Sequence, residues 1–341
     1  MAKGGGGKPG GGGNTSPQLA MLINLDKCLG CHTCTVACKN LWTNKPGREY
    51  MYWNNVESKP GEGYPRNWEN MGGGFQGGNP DPGQYPLNSD YGVGPTGEIV
   101  DFDYQTGLFE GGGIVDATPQ PDWLSNWDEE QGDGDFPNNY YFYLPRMCNH
   151  CDRPACLEAC PRQAIYKREE DGVVLVDQDR CRGYRQCVRT CPYKKIFFNS
   201  VTRKSEKCIF CYPRIEQGEA NACAVQCPGR VRHVGWVSDT SSDLYKLAKE
   251  FQVALPLHPE YETGPNVYYV PPFSGPSQVN PDGSLINVDR IPMDYLRFLF
   301  GADVDSAIGI LRAERDTVSA GGSSEILDIL NSNDRYKLEV V

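Results

Sequence analysis

Residues 28–38 read Cys28-Leu29-Gly30-Cys31-His32-Thr33-Cys34-Thr35-Val36-Ala37-Cys38. Gaps of two residues bend a chain tightly enough to turn three thiols toward one point. The backbone N–H groups of so short a loop face the same point and can meet negative charge there. A fourth cysteine follows after three residues, on the helix that comes after the loop, and is expected to point away from the first three. This is the spacing of bacterial iron–sulfur runs, whose last cysteine serves a neighbouring cluster. A zinc ribbon instead needs two cysteine pairs held apart by a spacer. That spacer has no room here.

The same grammar returns three times further along the chain. The second group is Cys148-x2-Cys151-x4-Cys156-x3-Cys160-Pro161, and the third is Cys181-Arg-Gly-Tyr184-Arg-Gln-Cys187-x3-Cys191-Pro192. The fourth is Cys208-x2-Cys211-x11-Cys223-x3-Cys227-Pro228, and the four groups hold all 15 cysteines. An odd count in a chain of this size argues against a disulfide framework. Short apolar runs bounded by turn residues precede or follow the loops at Leu19–Leu25, Gly172–Asp177 and Ile196–Asn199, as strands do. Strand, cysteine loop and short helix in alternation predict an α+β fold. It would consist of two nested bacterial-type two-cluster ferredoxin units, with long loop-rich insertions and a partly helical C-terminal region.

If each group gives three ligands to one cluster and its last to a partner, the groups must join in twos. Groups two and three are close in sequence; groups one and four then pair around them. Cluster A takes Cys28, Cys31, Cys34 and Cys227. Cluster B takes Cys38, Cys208, Cys211 and Cys223. Cluster C takes Cys148, Cys151, Cys156 and Cys191. Cluster D takes Cys160, Cys181 and Cys187, and its fourth ligand would have come from position 184. The other pairing, one with two and three with four, stays open. Tyr184 stands where a sixteenth cysteine would, which predicts three [4Fe–4S] clusters and one [3Fe–4S] cluster. The alternative, a tyrosinate holding a fourth iron, works against a phenol pKa near 10.

The chain has 341 residues and a formal charge of −11, enough length for about two ordinary domains. That charge would repel a phosphate backbone, so no nucleic-acid partner is expected. No stretch reaches the ~18 apolar residues of a membrane span. The best, Tyr295–Leu311, carries Arg297, Asp303 and Asp305. Residues 1–18 read as a flexible Gly-rich tail, without an apolar segment or twin arginine. Residues 19–38 and 200–237 form the unit for clusters A and B, and 148–199 the unit for C and D. Between them, 39–147 is a loop-rich insertion holding most of the tryptophans, assigned to subunit contacts. Residues 238–341 are a C-terminal extension with two helices. One is capped at Ser241 or Ser242 before Leu244–Phe251, and the other runs from near Met293 through Leu311.

Several longer matches carry a family resemblance: Leu25-Asp-Lys-Cys-Leu-Gly-Cys-His-Thr-Cys34, Cys38-Lys39-Asn40, Trp53-Asn-Asn-Val-Glu57, Lys59-Pro60-Gly61, Asn149-His-Cys151, Cys181-Arg-Gly-Tyr184, Cys191-Pro-Tyr-Lys-Lys195 and Lys207-Cys-Ile-Phe-Cys-Tyr-Pro-Arg214. Over roughly residues 19–237 the chain resembles the iron–sulfur (beta) subunit of the nitrate reductase, selenate, chlorate, dimethylsulfide and ethylbenzene dehydrogenase group, within the DMSO-reductase superfamily. In nitrate reductase the position of Tyr184 is typically Trp and the subunit is longer, so the likeness leans to the rest of the clade. The resemblance implies an electron-transfer subunit with no catalytic residues of its own. Its partners would be a catalytic subunit carrying molybdenum bis-molybdopterin guanine dinucleotide and its own [4Fe–4S] cluster, and a haem b (gamma) subunit. Cluster A would lie nearest the first and cluster D nearest the second. It also implies a periplasmic location, reached with the signal-bearing catalytic subunit; the cytoplasmic face of the membrane is the alternative. Tyr50–Glu57 tilts the reading toward an oxyanion reductase over a hydrocarbon- or sulfide-oxidising dehydrogenase. A free-standing polyferredoxin is the competing function, and the long insertion and extension argue against it.

His32 and His150 sit inside cysteine loops without replacing a cysteine, which assigns them a hydrogen bond to sulfide or backbone, or packing alone. Arg180, Arg182 and Arg185 flank cluster D and could offset its negative charge.

Overall fold

The apolar run expected to form a strand does so at Leu19–Asn24, with all six residues buried. Burial on both faces explains why the run is continuous rather than alternating. The strand is central in a four-stranded sheet ordered Arg232–Trp236, Leu19–Asn24, Val267–Val270, Leu255–Pro256. It runs antiparallel to Arg232–Trp236, with Ile23 opposite Arg232, and parallel to Val267–Val270, with Met21 opposite Val267. The extension after residue 238 therefore supplies half of the sheet that carries the first cysteine loop. The computed structural model describes residues 17–48, 50–86 and 132–331. The Gly-rich tail falls almost wholly outside that range, as does 87–131 of the insertion.

Three antiparallel pairs set the remaining loops. Ile165–Lys167 pairs with Val174–Val176, and Ile196–Asn199 pairs with Lys204–Lys207. The second hairpin straddles residue 199/200, so the two expected ferredoxin units are stitched together there. Asn55–Lys59 pairs with Phe142–Arg146, Lys59 standing opposite Phe142.

That last pair builds the described part of the insertion into the chain's own core. Tyr50, Met51, Tyr52, Trp53 and Trp68 are buried. At its centre the Glu57 carboxylate accepts from Arg146 Nε at 2.6 Å, Trp68 Nε1 at 3.2 Å and the Tyr64 N–H at 3.0 Å. Lys59 lies 3.8 Å from Glu57 and 3.0 Å from Glu69. The Arg146 guanidinium stacks 3.7 Å from the Trp68 ring centroid. Burial alone would raise the Glu57 pKa, but Arg146, Lys59 and Lys195 outweigh it and hold the carboxyl well below the usual range. Removing one partner of a buried ionic network strands the others. Glu57→Gln is therefore expected to cost about 3–5 kcal/mol, read as a lower denaturation midpoint of the assembled protein. The native network's contribution is complete above the ordinary carboxylate pKa of ~4.3 and is lost as pH falls below it. The Gln variant should lose that acid dependence.

The C-terminal region is helical, with one correction. Ser242 caps as expected, its Oγ accepting from the Tyr245 N–H at 3.0 Å; Asp243–Tyr245 then continues as a π-helical turn over Lys246–Glu250. The single helix expected from Met293 through Leu311 is two, Met293–Phe300 and Val304–Ser319. Gly301 breaks it, with φ 78° and ψ −176°. Arg297 clamps the break, reaching Asp294 at 2.5 Å and Asp305 at 2.6 Å. A further helix follows at Glu325–Asn331. Among the described residues, no helix is long and apolar enough to cross a membrane.

Candidate iron–sulfur centres

Strand pairing explains which cysteines meet. Leu19–Asn24 ends just before Cys28, and its antiparallel partner Arg232–Trp236 begins just after Cys227. The register therefore sets Cys227 beside the first loop. Cys28, Cys31, Cys34 and Cys227 line one cavity, with Val56, Pro145 and Arg232 among its walls. Gly30 is needed there: its φ is +64°, and a Cβ would meet the Tyr143 ring at 2.4 Å. Burial pushes the Cys28 thiol up to about 12, opposed by a hydrogen bond from the Gly30 backbone.

Cys38, Cys208, Cys211 and Cys223 line a second cavity. Cys34 and Cys38 share the helix Thr33–Trp42. Four residues apart, they project from one helix face rather than in opposite directions. Cys38 reaches the second cavity by the ~6 Å rise of one turn and does not line the first, in line with the expectation that it points away from that loop. The short helix Ala222–Val225 does the same for Cys223 and, just past its end, Cys227.

The hairpin Ile165–Lys167/Val174–Val176 repeats the first arrangement, with Cys160 just ahead of one strand and Cys181 just beyond the other. Cys160 and Cys181 both act electrostatically on Cys187, whose thiol burial pushes up to about 12. The Cys187 and Cys181 sulfurs each lie 3.4 Å from Ser205, at Oγ and backbone N respectively, and the Ala164 N–H donates to Cys160 Sγ at 3.3 Å. Cys148, Cys151, Cys156 and Cys191 form the remaining set. Burial first, then the charges of Cys191, Cys148 and Cys151, raises the Cys156 thiol well above its ordinary value. This set shares helices with the Cys160 set: Cys156 and Cys160 lie on and just beyond Ala155–Glu158, and Cys187 and Cys191 on and just beyond Gln186–Thr190. Cys148 in turn acts on Cys208 of the second cavity. That contact links the two helix-sharing pairs of sets.

Tyr184 does not turn toward the sulfurs' interior; it is 58% exposed, on a loop with Gly183 at φ 69° and Arg185 at φ 60°. Of the three arginines expected near it, Arg180 and Arg182 lie at the surface, whereas Arg185 is buried, 4.9 Å from the Phe198 ring centroid. His150 is buried; its Nδ1 accepts from the Val174 N–H at 3.0 Å. Burial, then Lys207 and Lys167, drives its pKa well down. The ring is neutral, so Nε2 carries the proton, and that buried donor has no protein partner. His32 lines the first cavity.

The donor chemistry suits a sulfide-rich group. Trp42 Nε1–H already donates to Cys211 Sγ at 3.2 Å. Trp53 Nε1 and Asn54 Nδ2 are buried without partners, and both residues line the second cavity. Orphaned buried donors are costly, and inorganic sulfide would accept from them. Among the described residues, no three His, Cys, Asp or Glu side chains converge on a single-ion position. Burial-raised thiols lose their protons on metal coordination, so filling these sets releases protons and couples to folding. Trp42, Ser205 and Arg232 were not singled out from the sequence, and Trp53 and Asn54 entered only as part of a matched motif. Trp42 lies near a cysteine loop, but nothing marks Ser205 or Arg232.

Tetra-thiol sets on pairs of shared helices define a ferredoxin-type iron–sulfur protein. Residues 19–40 match a family model described as a 4Fe-4S binding domain, and 139–237 one described as a 4Fe-4S dicluster domain. The chain is 53% identical to the respiratory nitrate reductase subunit beta of Haloferax mediterranei, over 95% of this chain and 94% of the relative. It is 52% identical to the perchlorate reductase subunit beta of Dechloromonas aromatica, over 92% and 93%. It is 50% identical to the dimethylsulfide dehydrogenase subunit beta of Rhodovulum sulfidophilum, over 92% and 95%. The chain belongs to this family of beta subunits. One nitrate reductase relative is matched over nearly its full length, so chain length does not set nitrate reductases apart from the others.

Proposed function

We propose that the chain is the electron-transfer subunit of a molybdenum oxyanion reductase, carrying single electrons between a molybdenum catalytic subunit and a haem b subunit. The observation that supports this best is the succession of four thiol sets, joined two and two by shared helices and linked between the pairs where Cys148 acts on Cys208. Cys28, Cys31, Cys34 and Cys227 would hold cluster A, and Cys38, Cys208, Cys211 and Cys223 cluster B. Cys148, Cys151, Cys156 and Cys191 would hold cluster C, and Cys160, Cys181 and Cys187 the [3Fe–4S] cluster D. This is the nested pairing, residues 19–38 with 200–237 around 148–199. When bound, such clusters supply one-electron redox chemistry over a wide span of potential. The chain's part is to fix the sets in a row, exclude water from the buried thiols and aim N–H donors at the sulfur. The solvent-facing ends of the row, Leu29 and Cys31 at one and Tyr184 at the other, suit docking to the catalytic and haem partners.

Iron and acid-labile sulfide assays of the fully loaded subunit are expected to give about 15 irons and 16 sulfides per chain. Sixteen irons without an oxidised [3Fe–4S] paramagnetic signal would sink the assignment at Tyr184. A lone monomer that retains its clusters on purification would favour a free polyferredoxin instead. The dimethylsulfide dehydrogenase relative keeps a second reading alive, the same subunit in an oxidising complex. Turnover of nitrate, chlorate, selenate and dimethylsulfide by the purified complex separates the two. We place the complex in the periplasm, exported with the catalytic subunit; recovery only in the cytoplasmic fraction would overturn that placement.

A further inference from the structure

Arg232 occupies the wall between the first two thiol sets. It opens the strand that pairs with Leu19–Asn24, and its side chain is 1% exposed. The side chain lines the cavity of Cys28, Cys31, Cys34 and Cys227. From there Nη1 extends to within 3.7 Å of Cys223 Sγ, which lines the other cavity. Nη1 also lies 3.3 Å from Met21 Sδ and 3.8 Å from Met147 Sδ. Nη2 donates to Asn54 Oδ1 at 2.8 Å. An arginine cannot be deprotonated in a protein, so the guanidinium keeps its charge beside these sulfurs. Its leading electrostatic neighbours are Cys34, Cys223, Cys227 and Cys28, which span both sets.

We infer that Arg232, steered by Asn54, is a fixed positive charge shared by the first two centres and raises the reduction potential of both. The inference rests on the cluster assignment proposed above. The sign follows from charge. Reduction adds one negative charge to a cluster, and a buried cation nearby stabilises that form. Buried in a low-dielectric wall, the guanidinium is little screened by solvent. Asn54 is the steering element because its Oδ1 holds Nη2 while its own buried Nδ2 remains free for the second centre. Arg232 is a positioning residue here, not a ligand.

The test is an EPR-monitored redox titration of the intact complex carrying Arg232→Gln, Arg232→Lys or Asn54→Asp. Arg232→Gln is expected to shift the oxidised-to-reduced ratio of the first two centres at least tenfold toward oxidised at fixed poise, 59 mV for one electron. Arg232→Lys keeps the charge and should stay near the native potentials. Asn54→Asp sets a carboxylate against the guanidinium and should shift both centres in the same direction as Arg232→Gln. The third and fourth centres should not move. Unchanged potentials for the first two centres in an assembled Arg232→Gln complex would overturn the inference, as would an equal shift of all four. If Arg232→Gln does not assemble, Asn54→Asp decides, and unshifted potentials there overturn it. Loss of both centres in Arg232→Lys as well would also overturn it, because that variant retains the charge. Missing cluster signals in the native complex would instead count against the cluster assignment itself.

Discussion

Tyr184→Cys is expected to convert the fourth centre from a three-iron to a four-iron cluster and to lower its potential by a large part of the range such centres span. The substitution puts a thiol midway between Cys181 and Cys187, with two residues between it and each, within a loop already bent by positive φ at Gly183 and Arg185. A neutral phenol gives way to a thiolate, and the added negative charge favours the oxidised cluster. Tyr184 is exposed and is not part of the core, so its loss should leave little void to fill. Iron analysis should rise by one per chain, and the oxidised [3Fe–4S] signal should vanish. Turnover with a dye that donates directly to the catalytic subunit should survive, while turnover through the natural haem partner should change. An assembled variant that keeps a three-iron centre at the native potential would refute this account of position 184.

Cys38→Ala should abolish the centre at Cys208, Cys211 and Cys223 while sparing the one at Cys28, Cys31 and Cys34, although Cys38 follows the latter loop directly. The reason is the helix Thr33–Trp42, which delivers Cys34 to one cavity and Cys38, one turn on, to the other. Spectroscopic loss confined to the first centre would overturn the crossed ligation. So would loss confined to the third, which the alternative pairing of groups requires.

The parts of the site that were legible in the sequence are those fixed by chain spacing. Cys-x2-Cys-x2-Cys can close only one way, and the strands around it are short apolar runs with clear ends. The crossed grouping follows because cysteines one helical turn apart must reach different places along the axis. Cys38 leaves the first loop's cavity, as its spacing implies, by rising one helical turn into the second. Gly301 was missed as a helix break because the apolar period continues past it, through Val304 to Leu311. The contact between Arg232 and Asn54 was illegible for another reason. They meet across 178 residues of chain, and nothing local marks a buried arginine whose partners are an amide and sulfur. The core role of Trp53 and Trp68 was equally hidden, because it depends on the buried Glu57–Arg146 pair between strands 89 positions apart.

The pairing of Lys59 with Phe142 has a consequence for variation within the family. A segment whose exit and re-entry stand opposite one another in a ladder is already closed by that ladder. Lengthening such a segment costs little, since the entropy of closure grows only with the logarithm of length, about 0.6 kcal/mol per doubling. Relatives can therefore gain or lose sequence between these two strands while every thiol stays where the strands put it. Length is free to diverge at a fixed internal geometry.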